Sequence, residues 1–370
     1  MGFHGDPPPG SREPFHFPSV LASTARHRKG SLKALELFPH RCPTALMSEA
    51  TLSVDLGGTS LRLALLDKEG EILAQQTLSS DLVREAQDLI RVLSQEAELF
   101  RFRAEKIDRE IRGMALGIPG LVDSKHGIVL QSPHFPAWRD VALREALQNN
   151  LPFPVLMEND ANQAALGEAW KGAGREWPSF ILLTLGTGIG GGIILDGKIF
   201  HGPNGFAGEV GHIVIDRQGP PGALGSRGTL ESLASQSGLR LQLKNLQESP
   251  SAPSISHEIL ALDPNDSELP KKLFELGQGG NPDAISLWEQ FGSSLGCGIV
   301  SLSLAFGFQR FVIGGGLSAA WALFANACRR EAQGRTYPSL APRLEVIPAK
   351  LGNEAGLLGG ARAVQAFTLP

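Results

Sequence analysis

The chain has 370 residues, of which 42% are hydrophobic and 19% charged, with 44 glycines, 3 cysteines and a formal net charge of -4. At ~100–200 residues per domain this is about two domains, and no apolar run approaches the ~20 residues needed to span a bilayer. The scattered Cys42, Cys297 and Cys328 exclude a disulfide framework and a cysteine-rich zinc site, and a mildly acidic chain offers no field for nucleic-acid phosphates. The expectation is a cytoplasmic protein acting on small molecules, with no nucleic acid and no membrane among its partners.

Residues 1–46 are rich in proline, from Pro7-Pro8-Pro9 to Pro39 and Pro43, and show no sustained helical or strand period. The early prolines prevent the long amphipathic helix of an organelle presequence, despite the basic run Arg26 to Lys29. This segment reads as a disordered extension or a mis-assigned start ahead of Met47, and it should carry no chemistry.

From residue 51 the pattern is strand (51–55), glycine turn, strand (61–66) and a third strand (71–79), followed by one long helix from 81 to about 107. A strand at 111–118 ends in Pro119-Gly120. Another, at 155–157, runs into Glu158-Asn159-Asp160 ahead of a helix at 161–170. Acids at the carboxyl end of a strand lie where α/β sheets place ligands. Strands at 180–185 and 192–195 form a hairpin around a glycine-rich bend. Residues 245–283, broken by Pro250, Pro253, Pro264, Pro270 and Pro282, read as short surface helices and loops without a functional signal. An apolar helix at 284–306, a strand at 311–313, the turn Gly314-Gly315-Gly316 and a further helix complete the order. No repeat of 20–50 residues stands out.

Gly186-Thr187-Gly188-Ile189-Gly190-Gly191 satisfies GxGxxG, yet the next residues form strand and turn, whereas a dinucleotide fingerprint must open a helix. In a hairpin the same glycines bring backbone N–H groups and the Thr187 hydroxyl against a phosphate, because no Cβ blocks the approach. Asp55-Leu56-Gly57-Gly58-Thr59-Ser60 repeats the theme, and a carboxylate beside phosphates is tolerable when it holds Mg²⁺, directly or through water. No GxxxxGK[ST] is present, which excludes a P-loop. Asp160 has a plainer reading as the N-cap of the helix after it.

The two hairpins with Gly314-Gly315-Gly316 resemble the phosphate-1, phosphate-2 and adenosine elements of the actin-like ATPase superfamily of sugar kinases. Within it, Ala207-Gly208-Glu209-Val210-Gly211-His212 resembles the ROK family of repressors, open reading frames and kinases. The likeness extends over nearly all of 51–366, through Glu158-Asn159-Asp160-Ala161-Asn162 and Gly352-Asn353-Glu354-Ala355-Gly356. It implies a two-domain α/β, actin-like (ribonuclease H-like) fold with the ligands in the cleft between a smaller domain (47–157 with about 355–370) and a larger one (158–354). It implies ATP and Mg²⁺ as cofactors, with Asp55, Gly57, Gly58, Thr59, Gly186, Thr187, Gly188, Gly314, Gly315 and Gly316 around the nucleotide and Mg²⁺ at Asp55. It also implies Asp160 as catalytic base, and Gly120, His134, Asn159, Glu209, His212 and Glu231 around a hexose.

Two departures stand out. The family's zinc-binding cysteines would fall at Gly222, Leu224 and Thr229, so no zinc site is expected, while Glu231 keeps its place after them. At His134, glucokinase-like members tend to have Asn, which loosens the inference to glucose. The expected activity is an ATP-dependent hexose kinase, glucose first, with N-acetylhexosamine or fructose as alternative acceptors and polyphosphate as an alternative donor. A homodimer is expected. The rival reading is a non-catalytic sugar-sensing transcriptional regulator, for which residues 1–46 are too few and too proline-rich to supply a DNA-reading domain.

Overall fold

The computed structural model describes residues 47–249 and 255–368; the extension expected at 1–46 lies outside the described residues. β1 (Ser48–Leu56) and β2 (Ser60–Asp67) form an antiparallel hairpin, to which β3 (Ile72–Ser79) adds antiparallel. The single helix expected over 81–107 is instead a 3-10 turn, Ser80–Val83, followed by α1 (Ala86–Lys106). The first is capped at its start and the break falls at Glu85. The Ser79 hydroxyl accepts the Asp81 N–H, and the Trp138 indole donates to the Arg84 carbonyl at 3.0 Å, leaving Glu85 extended at φ -97°.

β4 (Arg109–Ile118) runs parallel to β1. A small antiparallel flap of β5 (Leu121–Asp123), β6 (Ile128–Gln131) and β7 (Arg139–Val141) comes next, then α2 (Leu143–Gln148), and β8 (Val155–Asn159) lies parallel to β4. The first sheet therefore has the order β3-β2-β1-β4-β8. β1 reads as a nearly continuous buried run because both of its faces are covered.

α3 (Asp160–Trp170) leads into the second sheet, built from β9 (Phe180–Leu185), β10 (Ile189–Leu195) and β11 (Lys198–Ile199). Next come α4 (Leu230–Ala234), α5 (Gln236–Gln247), α6 (His257–Leu260), α7 (Leu269–Gln278) and the long α8 (Pro282–Phe306). β12 (Arg310–Gly314), α9 (Trp321–Gly334), β13 (Glu345–Pro348) and α10 (Ala355–Thr368) close the chain's described course. The order β11-β10-β9-β12-β13 reproduces the first sheet, with one antiparallel hairpin edge and two parallel strands on the other side. The architecture is thus duplicated where the sequence shows no repeat.

β10 begins at Ile189, not at 192 as expected, so Gly190, Gly191 and Gly192 are strand residues. A Cβ on Gly192 would stand 2.5 Å from the Ala165 Cβ and 2.6 Å from the Ala161 carbonyl, and one on Gly190 3.1 Å from the Ala161 Cβ, so the bareness of these two is what lets α3 lie on the sheet. The same device joins α3 to α10. A Cβ on Gly167 would overlap the Ala355 carbonyl, and one on Gly359 the Gln163 carbonyl. Buried Gln163 donates from Nε2 to Val54 O at 3.0 Å and Gly356 O at 2.9 Å, tying α3 to β1 and α10. Each sheet has its own apolar core, around Phe100 and Trp138 in the first and around Trp288, Phe291 and Phe324 in the second. Among the described residues no helix is long and apolar enough to cross a membrane.

Candidate functional site

A cavity of about 490 Å³ gathers Gly58 and Thr59 from the β1–β2 turn, Gly186, Thr187 and Gly188 from the β9–β10 turn, and Gly315 and Gly316 after β12. Gly120, His134, Asn159, Asp160, Glu209, His212 and Glu231 line the same cavity. An adjoining recess of about 200 Å³ holds Asp55, Gly57 and Gly314, with Asp160 again on its wall. Every singled-out residue therefore borders one of two adjoining hollows that share Asp160 and Gly315.

Local structure sets the orientation of the central acid. Asn159 ends β8 and caps α3, its Oδ1 accepting from the N–H groups of Ala161 at 2.9 Å and Asn162 at 3.1 Å. Asp160 is the first helical residue, and only its Oδ1 is engaged, by the Ala161 N–H at 3.0 Å. The plain reading of Asp160 as the helix cap is thereby replaced, since Asn159 does that work. Burial, then the charge of Asp55, then that of Glu209 push the Asp160 carboxyl up to about 7.

Asp55 is also held above the ordinary carboxylate range by burial, against the pull of Arg62, whose Nη2 stands 2.9 Å from Oδ2. No motif marks Arg62. The signal is nonetheless present in the sequence, because antiparallel pairing across the first turn sets Arg62 opposite Asp55. Its Nη1 donates to Asn353 O at 2.6 Å, linking the hairpin to the turn that precedes α10.

On the opposite wall His212 Nε2 lies 3.8 Å from Glu209 Oε2. Burial raises the Glu209 pKa, His212 lowers it and Glu231 raises it. Glu231 accepts the Ile189 N–H at 3.0 Å, so it holds the start of β10. Asn159 Nδ2 donates to Gly120 O at 3.1 Å. His134 rests over the first hairpin, where a Cβ on Gly58 would come within 2.8 Å of its Nδ1.

Thr229, at one vacated cysteine position, caps α4 by accepting the Ser232 N–H at 3.1 Å, while Leu224 is 79% exposed with φ 59°. The loop between His212 and Glu231 is closed by peptide hydrogen bonds, Gly222 N–H to Ser226 O at 2.8 Å and Gly228 N–H to Pro220 O at 2.7 Å. Among the described residues no group of three or more His, Cys, Asp or Glu is arranged for a metal.

One part of the hollow escapes the sequence reading. A further cavity of about 640 Å³ shares Gly186, Thr187 and Gly316 with the first and is walled by Lys271, Phe274 and Gln278 of α7 and by Trp288. These α7 residues belong to the stretch expected to be surface without function, and Trp288 has no sequence signal beyond packing. Pro270 suggests a break, yet it sits in the first turn of α7, where a missing N–H costs nothing.

The ROK family model matches residues 51–366. The chain belongs to the ROK family. The glucokinase of Halalkalibacterium halodurans is 34% identical over 312 residues, covering 84% of this chain and 93% of that protein. The xylose repressor of Caldicellulosiruptor bescii is 28% identical over 308 residues, covering 83% of this chain and 76% of the repressor. The crystal structure of a ROK family glucokinase from Streptomyces griseus in complex with glucose and AMPPNP has a TM-score of 0.67 at 28% identity, covering 86% of this chain and 99% of that one. The fold is the two-domain α/β, actin-like ATPase (ribonuclease H-like) fold.

Proposed function

We propose that the protein is a cytoplasmic, homodimeric ATP-dependent hexose kinase acting first on the 6-hydroxyl of glucose. The observation that carries this is the place of Asp160, whose carboxyl borders both the cavity holding Glu209, His212 and Glu231 and the recess holding Asp55. A hexose presents hydroxyls, which these acids would clamp by charge-assisted hydrogen bonds, with the second Nδ2 hydrogen of Asn159 as a further donor. The bare backbones of the two hairpins admit phosphates to their N–H groups, and the cavity beside α7 and Trp288 has the volume and apolar wall for a nucleoside. A carboxyl near 7 is poised to take the hydroxyl proton at neutral pH. Closure of the two domains, 47–157 with 355–370 against 158–354, would exclude water from the phosphoryl group.

Asp55 and Asp160 are two partly shielded carboxylates in one recess, an oxygen donor set that suits Mg²⁺, which Asp55 would hold directly or through water. Bound there, Mg²⁺ would neutralise phosphate charge. The xylose repressor relative supports a second reading, a sugar-sensing regulator without catalysis.

A coupled ADP-release assay over a panel of hexoses, N-acetylhexosamines and fructose separates these. Glucose should give the highest kcat/KM, and Asp160→Asn should lower kcat by ~10²-fold while glucose affinity changes only a few-fold. Binding of a sugar without any ADP release would favour the regulator. Turnover by Asp160→Asn within a few-fold of the parent would remove Asp160 from the role of base.

A further inference from the structure

One residue before Asn159, Glu158 carries a carboxylate with no part in the scheme above. Its side chain is only 12% exposed, and four donors converge on it. Oε1 accepts from Ser124 Oγ at 3.1 Å, from the Asn159 N–H at 2.9 Å and from Asn162 Nδ2 at 3.0 Å, while Oε2 meets His201 Nε2 at 2.6 Å. Three of the four donors crowd Oε1 and His201 alone meets Oε2, and they come from three separate segments. Ser124 comes directly after β5, a few residues past Gly120. Asn159 and Asn162 flank Asp160. His201 opens the loop that runs to Glu209.

That loop turns on glycines. Gly202, Gly205 and Gly208 all adopt positive φ, at 69°, 86° and 116°, conformations open to glycine because it has no Cβ, so no side chain at these positions fixes the loop's course. Within it the Ala207 N–H returns to the His201 carbonyl at 3.0 Å, so an anchor at His201 is passed on to the residues just before Glu209.

We propose that Glu158 and His201 are positioning residues that set the distance between the Glu209 side of the sugar clamp and Asp160, and so determine sugar affinity. The bond to Glu158 holds the His201 pKa up, which strengthens the pairing by charge. This inference rests on the hexose kinase reading.

The test measures steady-state kinetics of the full chain with glucose and MgATP for His201→Ala, His201→Gln and Glu158→Gln, with melting temperatures checked first. His201→Ala should raise the KM for glucose about tenfold with kcat and the KM for ATP within about twofold. His201→Gln, which keeps a donor for Glu158, should recover most of that loss. Adding Glu158→Gln to His201→Ala should cost little more, as expected of two residues acting through one bond. A glucose KM within twofold of the parent in His201→Ala would overturn the proposal, as would an equal fall in kcat and ATP affinity. Should the parent turn over no hexose, the kinase reading fails on its own, and calorimetric glucose binding by parent and His201→Ala still decides the positioning role by the same tenfold criterion.

Discussion

The β1–β2 and β9–β10 hairpins occupy equivalent places in two sheets of the same strand order, and both carry runs of glycine, yet the glycines serve different ends. In the first hairpin they face space. A Cβ on Gly57 would make only an ordinary contact, 3.5 Å from the Ser60 carbonyl, and one on Gly58 would meet the His134 side chain, which can turn aside. The second hairpin is open at Gly186, where a Cβ would meet nothing nearer than 4.0 Å, but is braced from Gly188 onward. A Cβ on Gly188 would overlap the Glu231 carboxylate, one on Gly191 would come within 2.5 Å of Val210, and Gly192 lies against α3. The first hairpin compensates with charge, since Asp55 and Arg62 pair across it, whereas the second is held by packing and by Glu231. Similar glycine strings therefore leave open backbone at both turns, while in the second hairpin the glycines that follow also make room for tertiary contact.

A pair of alanine substitutions separates the two hairpins most widely. Gly192→Ala, pressed against backbone, should cost about 3 kcal/mol of unfolding free energy, whereas Gly57→Ala should cost under ~1 kcal/mol and show itself as a higher KM for ATP. Chemical denaturation alongside ATP titrations would read both. Equal losses of stability would mean that the two glycine runs do the same work.

A smaller effect tests the charge of the first hairpin. The Asp160 carboxyl stands at about 7 against an ordinary 3.8, so it is raised in the folded protein. Its contribution to stability is complete below about pH 4 and is lost as pH rises through about 7. In the ligand-free protein, Asp160→Asn should therefore melt higher than the parent at pH 8, with the difference gone near pH 4. Asp55→Asn removes a charge that raises Asp160, so the acidic limb of the kcat/KM profile should move to lower pH. A limb that stays in place would detach Asp160 from the first hairpin electrostatically.

The smallest effect is expected where Glu231 braces the second hairpin. The loop before it is closed by peptide hydrogen bonds, and the vacated positions hold Gly222, Leu224 and Thr229. Elemental analysis should find far less than one zinc per chain, and a zinc chelator should leave kcat/KM unchanged. Stoichiometric zinc would mean that the brace has ligands of another kind.

Much of the site is legible in the sequence because its signals are local. Strand and helix periods lie within a few residues, glycine clusters mark close approach wherever they occur, and Asp160 comes directly after a strand. The order of elements and the residues around the hollow can therefore be read along the chain. The features that escape depend on residues far apart in sequence. The break between the 3-10 turn and α1 is drawn by Trp138, 54 positions from Arg84. The Glu158–His201 bond spans 43 positions. The wall formed by α7 has meaning only beside the β9–β10 turn, and the duplicated sheet order exists only in the pairing of strands. Residue type and spacing determine which local conformations are cheap and which chemistry is present. Which side chains meet, and hence whether a glycine opens a site or closes a core, is decided when the folded chain brings distant segments within contact distance.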